Sequence, residues 1–559
     1  MKFSEMPYKR IDMAEVKSFF EKLIEDSKNA KSGEEQFALH KKFYEYLGDL
    51  RTTITIGVFR HNVDTTEEFY AKENDYIDEI YPTISQYTND YTKVLYNSPY
   101  RDYLEEKIGK VAFKNMELSM KSIDEKILPL MQEENALISK YDKVIASAKI
   151  PFDGEEYNIS LLRKVLTSSD RDTRKRAWKA LSDYFLSVTD EIDDIYDKLV
   201  KNRTQQAKEL GYDNYIELGY NRMTRNSYRR KEVENFRKQI KESFVPFVSK
   251  IQEKRKAQIE VDELKYYDND MFFKNGNPEP IGTPEDIMNA GLEMYKELSP
   301  ETAEFFDFMI KNELFDVLGR KTKKAGGYMD FLPKYKAPII FANFNGTSGD
   351  VDVITHECGH AFQGYLTRDE EIMEHNDLTM ETAEIHSMSM EYFTYGWMDK
   401  FFGDRSEDYL KMHIQDSVTF IPYGCMVDEF QHIVYEKPEM TPAERKQVWK
   451  ELEKTYRPWL DFDNDPFFDE GGFWQKQGHI FWNPFYYIDY VLASVVAMQF
   501  KVWMDKDFKD AWNHYLELCR LSVSDFYENE LDEVGLKSPF RDGTIDYLVK
   551  EMESKVFDK

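Results

Sequence analysis

The sequence predicts a mainly α protein with one small β-sheet, and three features of the chain support this fold class. Apolar residues recur at three- and four-residue steps along most of the chain, beginning with Met13, Val16, Phe20 and Leu23. Strand-like segments are few, and we find no internal repeat of about 20 to 50 residues that would indicate a solenoid. The length of 559 residues exceeds one compact core. We therefore expect two or more lobes, or one large and mostly helical body.

The first half of the chain is predicted to consist of helices. Helical periodicity runs through Phe69 to Leu95, Tyr103 to Leu137 and Ile159 to Val200. The stretch Thr52 to Val58 is rich in β-branched residues and has the propensity of a strand. Because its flanks are helical and no partner strand is evident, we predict that this stretch belongs to a helix.

The second half contains the clearest helix starts and the best strand candidates. A stretch rich in Gly, Pro and Asn, Lys274 to Pro284, places Thr283 at a predicted N-cap, and Thr441 begins a capping box. Strands are predicted at Gly326 to Asp330 and at Pro338 to Phe344. These segments lie just ahead of the histidine motif described below, so we expect the small sheet beside that motif.

The charge of the chain is strongly negative, with 104 acidic against 75 basic side chains and a formal net charge of −29. A field of that sign repels phosphate backbones and anionic lipids, so we expect neither nucleic acid nor membrane partners. The excess carboxylate either keeps a large protein soluble or favours cationic ligands. The sequence does not indicate the oligomeric state.

Cysteine usage and the N-terminal sequence predict a cytoplasmic protein. The three cysteines, Cys358, Cys425 and Cys519, show no paired spacing, as expected where thiols stay reduced. The N-terminal residues lack an apolar signal-peptide core and a small-residue cleavage site. No apolar run approaches the roughly 18 residues that a membrane-spanning helix needs, and the most apolar late segment is interrupted by Asp489.

The strongest chemical signal is a His-Glu-x-x-His pentapeptide that contains His356, Glu357 and His360. On a helix, residues four apart share one face, so both imidazoles can reach one cation, which we predict to be zinc. Catalytic zinc sites keep three protein ligands and a water, and Glu357 is placed to take a proton from that water. A chance match is expected on the order of a few times per hundred such chains, so the context of the motif matters.

Two residues inside the motif bear on the alternative to a metal site, which is a surface helix whose two histidines have ordinary hydrogen-bond partners. Gly359 argues against that alternative, because glycine inside a helix costs about 1 kcal/mol relative to alanine and needs a compensating reason. Cys358 lies two residues from each histidine and therefore off the metal-facing side. We expect Cys358 to be a small buried side chain rather than a nucleophile.

Spacing alone leaves the third metal ligand open. The extended pattern with a later Gly and His fails, because Gln363 and Leu366 occupy those positions. The remaining candidates lie downstream and are His375, Glu381, Glu384, His386 and Glu391. A second helix packed on the first could present a carboxylate, and spacing does not choose between Glu381 and Glu384. Glu391 is too far along that helix for direct ligation and is either an acceptor for a ligand's hydrogen bond or a solvated or structural carboxylate.

Six separated blocks of the chain occur in the order of one known family. They are Thr167 to Lys175, Glu209 to Tyr215, Gly326 to Tyr328, Phe341 to Thr347, Ala383 to Ser387 and His479 to Tyr490. Together they resemble the oligoendopeptidase F group of the M3 (thimet oligopeptidase-like) zinc peptidases. The likeness spans roughly residues 60 to 550, and the shared order argues against coincidence.

The resemblance implies a two-lobed helical ellipsoid with a deep substrate channel and a small β-sheet next to the zinc-binding helix. Residues 1–150 would form an N-terminal helical lobe, and residues 151–559 the catalytic region. The fifth block matches the family's third-ligand motif, which selects Glu384 to join His356 and His360 around one zinc ion per chain. Family members cut internal bonds of short, unstructured peptides, so short oligopeptides are the expected substrates.

The resemblance also implies which residues act with the metal. Glu357 would activate a zinc-bound water for amide hydrolysis. His479, Tyr487 and Tyr490 would donate hydrogen bonds to the oxygen that becomes negatively charged. Spacing alone favours aromatic side chains packed in a core, so these assignments depend on the family. Tyr486 adjoins Tyr487, and which tyrosine contacts the substrate stays open.

Substrate-binding residues are expected on the segment that precedes the motif. Phe341 to Asn345 is predicted to be an exposed edge strand whose backbone pairs with an extended peptide. The candidates on and after this segment are Asn343, Phe344 and Gly346. Tyr486 is added to them from the late block.

Three functions from different classes remain open at this point. The first is a zinc metalloendopeptidase that hydrolyses short oligopeptides. The second is another zinc peptidase with the same ligands, a dipeptidyl carboxypeptidase or an aminopeptidase, although the segment Gly291 to Met294 does not supply the aminopeptidase motif Gly-x-Met-x-Asn. The third is a helical binding or chaperone-like protein whose zinc is absent or structural.

Overall fold

The computed structural model describes residues 1–324 and 326–557, and within them the chain is mainly α-helical. The predicted fold class is therefore confirmed. The β-branched stretch Thr52 to Val58 lies inside a helix, as predicted. In the part of the chain that the structure describes, no helix is both long and apolar enough to cross a membrane.

Helices follow one another along the whole chain. Those before residue 279 are α1 (Met13–Asn29), α2 (Gly33–Val63), α3 (Glu68–Tyr96), α4 (Arg101–Ile108), α5 (Lys110–Met120), α6 (Leu128–Ala146), α7 (Ile159–Leu166), α8 (Arg171–Glu209), α9 (Tyr215–Arg222), α10 (Arg230–Gln239) and α11 (Val245–Gln258). Those that follow are α12 (Pro284–Leu298), α13 (Pro300–Lys311), α14 (Gly349–Leu366), α15 (Met380–Phe393), α16 (Asp399–Phe402), α17 (Ser406–Glu436), α18 (Pro442–Tyr456), α19 (Gly478–Trp482), α20 (Tyr487–Met504), α21 (Phe508–Arg520), α22 (Tyr527–Glu533) and α23 (Thr544–Phe557).

The chain divides into two compact units, each built from three stretches of sequence. Unit 1 contains Met1–Met120, Glu279–Ser406 and Gln499–Lys537. Unit 2 contains Lys121–Pro278, Glu407–Met498 and the segment that begins at Ser538. The two regions predicted from the sequence, residues 1–150 and 151–559, are each one continuous stretch, whereas each compact unit combines three stretches. The division at residue 150 stays a prediction.

Helix boundaries follow the capping residues of the sequence. Thr283 caps α12 and Thr441 caps α18, and in each capping box the carboxylate three residues on accepts a hydrogen bond from the threonine N–H. The periodic stretch 159–200 is divided into α7 and α8, because the Asp170 side chain caps α8 by accepting a hydrogen bond from the Thr173 N–H. Apolar periodicity did not predict this break, since buried apolar residues continue on both sides of it.

The structure contains two small sheets within the described residues. Strands β1 (Ile150–Phe152) and β2 (Glu155–Tyr157) form an antiparallel pair. Strands β3 (Phe315–Leu318), β4 (Tyr328–Leu332) and β5 (Ala337–Phe344) form the second sheet in the order β3-β5-β4. In it, β5 runs parallel to β3 and antiparallel to β4.

The prediction that Phe341 to Asn345 forms an exposed edge strand is wrong. β5 is the central strand, and Phe341 faces Asp316 of β3 on one side and Tyr328 of β4 on the other. Both Phe341 and Phe344 are buried. The sequence did not reveal this because β3 has only four residues and was not recognised as a strand, so β5 seemed to have one partner only.

The turn after β5 positions the start of α14. The Asp350 carboxylate accepts hydrogen bonds from the backbone N–H groups of Asn345 at 2.9 Å and Gly346 at 2.7 Å. Gly346 has a φ of +83°, which glycine adopts without strain. Further along α14, an ideal Cβ on Gly364 would lie 3.4 Å from a ring carbon of Phe331 in β4. The small sheet therefore lies beside the motif helix, as predicted.

Candidate metal centre

Helices α14 and α15 approach each other closely at Gly359. An ideal Cβ on Gly359 would lie 2.6 Å from Ser387 Cα and 2.7 Å from the His386 carbonyl oxygen, so only glycine fits without displacement. The Tyr515 hydroxyl of α21 donates a hydrogen bond of 2.8 Å to that same His386 oxygen. The close approach explains why the helix carries a residue that disfavours helices, and it brings α15 within reach of the two motif histidines.

The close packing brings three donor atoms together. Glu384 Oε2 lies 3.3 Å from His356 Nε2 and 3.5 Å from His360 Nε2, and all three donors lie within 4.8 Å of one another. Donors about 2.0–2.1 Å from one tetrahedral zinc ion are separated by about 3.3–3.4 Å. Two imidazole nitrogens and one carboxylate oxygen at this spacing fit a catalytic zinc site, which keeps a fourth position for water.

A fourth residue, Glu391, orients one of the histidines. Its Oε1 lies 2.6 Å from His356 Nδ1, and since a carboxylate accepts, the Nδ1–H donates. When a metal takes Nε2, the proton stays on Nδ1, so this hydrogen bond holds the ring with Nε2 toward Glu384 and His360. Of the two sequence interpretations of Glu391, acceptor for a ligand's hydrogen bond or solvated carboxylate, the structure favours the first.

The charges at this group suit a cation. Burial alone would raise the pKa of Glu384, but hydrogen bonds from His356 and His360 outweigh it and hold that pKa well below its ordinary value. Glu384 therefore stays ionised at neutral pH, as a metal ligand must. Its side chain is 5% exposed and that of Glu391 is 15% exposed, so two carboxylates are largely withdrawn from water at one place. Such charges need compensation, which a divalent cation supplies.

Gly359→Ala is expected to lower the free energy of unfolding by about 1–3 kcal/mol, because the added methyl group meets the α15 backbone rather than a movable side chain. The same clash pushes Glu384 away from the histidines, so zinc affinity should fall together with stability. Urea denaturation and zinc titration measure the two effects.

Gly364→Ala is the matched control on the same helix. Its Cβ would meet Phe331 at 3.4 Å, an ordinary van der Waals contact. Alanine should therefore leave zinc affinity unchanged and keep or increase stability, by about 0.5–1 kcal/mol. Equal behaviour of the two variants would contradict the role given to Gly359.

Glu391→Ala is expected to weaken zinc binding about 10- to 100-fold, because His356 loses the acceptor that fixes its ring. Competition against a chelator of known affinity measures this change. Glu391→Gln keeps an acceptor oxygen and should lose less. If alanine and glutamine at this position bind zinc like the wild-type chain, the hydrogen bond at Nδ1 does not support the site.

The other residues considered from the sequence lie outside the three-donor group. His375 Nε2 lies 2.9 Å from the Ile108 carbonyl oxygen, in a contact remote from the motif. Glu381 and His386 are buried on α15 but are not among the three donors found together in the described residues. Cys358 is buried, and burial raises the pKa of its thiol well above the ordinary value. That supports a packing role and not a nucleophile, as expected.

The late His/Tyr block forms one cluster in unit 2. The centroid of the His479 ring lies 4.9 Å from that of Tyr487, 5.8 Å from that of Tyr490 and 5.9 Å from that of Tyr486. The Gln477 amide donates to His479 Nδ1 at 2.9 Å, so the ring proton is on Nε2. Burial raises the pKa of Tyr487, which keeps its hydroxyl protonated at neutral pH. His479 and Tyr487 are thus both hydrogen-bond donors.

Residues that the sequence interpretation missed hold the turn before α20. Phe485 has a φ of +70°, an uncommon conformation for a non-glycine residue. The Arg225 guanidinium donates a hydrogen bond to the Phe485 carbonyl oxygen. The Phe485 backbone N–H donates one to Gln431 Oε1 at 2.9 Å. Arg225 also pairs with Asp489 at 2.9 Å, and both are buried. The one available signal was Asp489, a charge inside an apolar segment that requires a buried partner.

The residues of unit 1 that were predicted to bind substrate make contacts with neighbouring parts of the chain. The Asn343 amide donates to the carbonyl oxygens of Lys324 at 2.8 Å and Gly326 at 2.9 Å. Phe344 is buried and Gly346 serves the turn into α14. Their role in substrate binding stays a prediction, and so does that of Tyr486.

Family models match most of the chain. A model described as peptidase family M3 matches residues 165–518, and one described as the peptidase M3 N-terminal domain matches residues 3–123. The chain belongs to peptidase family M3. The resemblance identified from the sequence blocks is thereby confirmed.

Solved structures agree with the M3 assignment. A structure of Pz peptidase A with an inhibitor is 45% identical, has a TM-score of 0.95 and covers 100% of this chain and 99% of its own. A protein from Bacillus anthracis described as an oligoendopeptidase F is 41% identical with a TM-score of 0.90, covering 100% and 98%. The M3 fold is therefore shared along the whole length.

Curated M3 relatives are more distant. The oligoendopeptidase F homolog of Borreliella burgdorferi is 24% identical over 306 residues, 52% of this chain. The chromosomal oligoendopeptidase F of Lactococcus lactis subsp. cremoris is 23% identical over 207 residues, 36% of this chain. The matches span 50% and 31% of those relatives' lengths.

Proposed function

We propose that this chain is a zinc-dependent metalloendopeptidase that hydrolyses internal peptide bonds of short oligopeptides. The observation that carries the proposal is the convergence of His356 Nε2, His360 Nε2 and Glu384 Oε2 within 4.8 Å. Membership of a peptidase family and the oligoendopeptidase names of relatives support the substrate class. One zinc ion per chain is the proposed cofactor.

The proposed chemistry is amide hydrolysis with proton transfer by Glu357. Bound zinc would supply a Lewis acid for the peptide carbonyl and lower the pKa of its water to about 7. Glu357 follows the first ligand on α14 and takes the proton that the attacking water loses. The same carboxyl group then gives that proton to the nitrogen of the leaving amine, which completes the cleavage.

His479 and the tyrosines of the late block are the proposed partners of the developing negative charge. The His479 Nε2–H and the Tyr487 hydroxyl are donors, and Tyr490 lies in the same cluster with a ring centroid 5.8 Å from that of Tyr487. Donors of this kind typically contribute about 10²–10³ in rate. Removing the Tyr487 or Tyr490 hydroxyl would identify which tyrosine acts.

An internally quenched peptide with both termini blocked tests the proposal directly. We expect the zinc-loaded protein to cleave it, and a chelator to abolish the cleavage until zinc is restored. Cleavage only of peptides with a free end would support the dipeptidyl carboxypeptidase or aminopeptidase alternative. Stable zinc binding without any peptide hydrolysis would support the binding-protein alternative.

A further inference from the structure

The hydroxyl group of Ser387 contacts the carboxylate of Glu384 from within the same helix. Ser387 lies three residues after Glu384 on α15, and its Oγ is 3.2 Å from Glu384 Oε2 and 3.0 Å from the Glu384 carbonyl oxygen. A hydroxyl has one proton to donate, and an ionised carboxylate is a stronger acceptor than a peptide carbonyl. The two contacts tie the backbone and the carboxylate of Glu384 to one side chain.

The backbone that carries Ser387 is held by two other helices of unit 1. Gly359 of α14 packs against it, since an ideal Cβ on Gly359 would lie 2.6 Å from Ser387 Cα. Helix α21 holds the preceding residue, because the Tyr515 hydroxyl donates to the His386 carbonyl oxygen at 2.8 Å. Ser387 itself is fully buried. Its hydroxyl is therefore presented from a fixed position, where water does not replace it as a donor.

The oxygen that accepts from Ser387 is also the one that faces the two histidines. Glu384 Oε2 lies 3.3 Å from His356 Nε2 and 3.5 Å from His360 Nε2. A carboxylate oxygen has two lone pairs, so it can accept a hydrogen bond and bind a metal ion at the same time. A glutamate side chain otherwise turns about several bonds, so a group that holds its carboxylate reduces the entropy lost when a metal binds.

We propose that Ser387 is a positioning residue of the metal centre, which holds the Glu384 carboxylate toward the two histidines before zinc binds. The inference rests on the zinc site of the proposed function, and Ser387 acts on the metal only through Glu384. Hydrogen-bond partners of metal ligands typically contribute about 10- to 100-fold in metal affinity. Ser387 thus serves the carboxylate ligand as Glu391 serves His356, and both come from α15.

Ser387→Ala removes the hydroxyl and little volume, so it should raise the zinc dissociation constant about 10-fold or more. Competition against a chelator of known affinity measures this constant. Ser389→Ala is the matched control, because Ser389 is a second fully buried serine of α15. Within the part of the chain that the structure describes, the Ser389 hydroxyl makes no hydrogen bond. The control should bind zinc as tightly as the wild-type chain, and both variants should fold, since alanine favours helices.

Cobalt(II) bound in place of zinc distinguishes positioning of the ligand from packing of the helix. The visible absorption of cobalt(II) depends on the geometry of its ligands. Ser387→Ala should change this absorption, because the released carboxylate can turn and bind through either or both of its oxygens. Ser389→Ala should give the wild-type spectrum.

Three results would overturn the proposal. The first is a Ser387→Ala variant that binds zinc as tightly as the wild-type chain. The second is weaker binding with an unchanged cobalt spectrum, and the third is an equal loss of affinity in both alanine variants, since both would assign the effect to packing. A wild-type chain that binds no zinc would instead contradict the proposed function. None of these measurements uses peptide hydrolysis, so the two failures are distinguished.

Discussion

Glu357→Gln should lower kcat for a blocked peptide by about 10²–10⁴-fold and leave one zinc ion bound per chain, because it removes the proton acceptor and no metal ligand. Glutamine has nearly the same shape as glutamate but cannot take a proton from the attacking water. We expect KM to change little, since the carboxylate acts mainly in the transition state. Steady-state kinetics and metal analysis of the same preparation measure both quantities.

Asp352→Asn is the matched control for this substitution. Asp352 is another half-buried acid of α14, five residues before Glu357 and on a different side of the helix. The Asp352→Asn variant should have a kcat within a few-fold of the wild-type value. A Glu357→Gln enzyme with full activity would show that another group moves the proton.

Glu384→Ala should remove zinc and with it peptide hydrolysis, because only His356 and His360 then remain as ligands and a catalytic zinc site needs three. The loss of zinc can also be detected from thermal stability, without an assay of peptide hydrolysis. Zinc at about 100 times its dissociation constant adds about 2.7 kcal/mol to the free energy of unfolding of the wild-type chain. The Tm of the variant should not respond to zinc at the same concentration.

Glu381→Ala is the control that decides between the two carboxylates left open by spacing. Glu381 is buried three residues earlier on α15 and is not one of the three converging donors. This variant should keep its zinc and its Tm response to zinc, even if burial makes it less stable. If the Glu381→Ala variant loses zinc and the Glu384→Ala variant keeps it, the proposed set of ligands is wrong.

The local part of the site follows from the sequence. The helical step of four residues predicted that His356 and His360 share a face. The low helix propensity of Gly359 predicted a compensating reason for glycine at that position, which is the close packing of another element. Which carboxylate completes the group depends on how α15 packs on α14. Spacing within α15 cannot give that packing, so only the family resemblance selected Glu384.

Non-local pairing explains the principal error in the fold prediction. β5 was expected to have a free edge, but β3, only four residues long, pairs with it although β4 lies between them in the sequence. Phe485 shows the same limit, because its left-handed backbone is held by Arg225, which lies far away in the sequence, between α9 and α10. Short strands and buried long-range hydrogen bonds leave little periodic signal in the chain.

Anomalous diffraction at the zinc absorption edge from crystals of the active protein tests the central claim most directly. The account predicts one peak per chain, about 2.0–2.2 Å from His356 Nε2, His360 Nε2 and a Glu384 carboxylate oxygen. A zinc peak bound by other residues would contradict it. So would undiminished peptide hydrolysis by protein from which the metal has been removed.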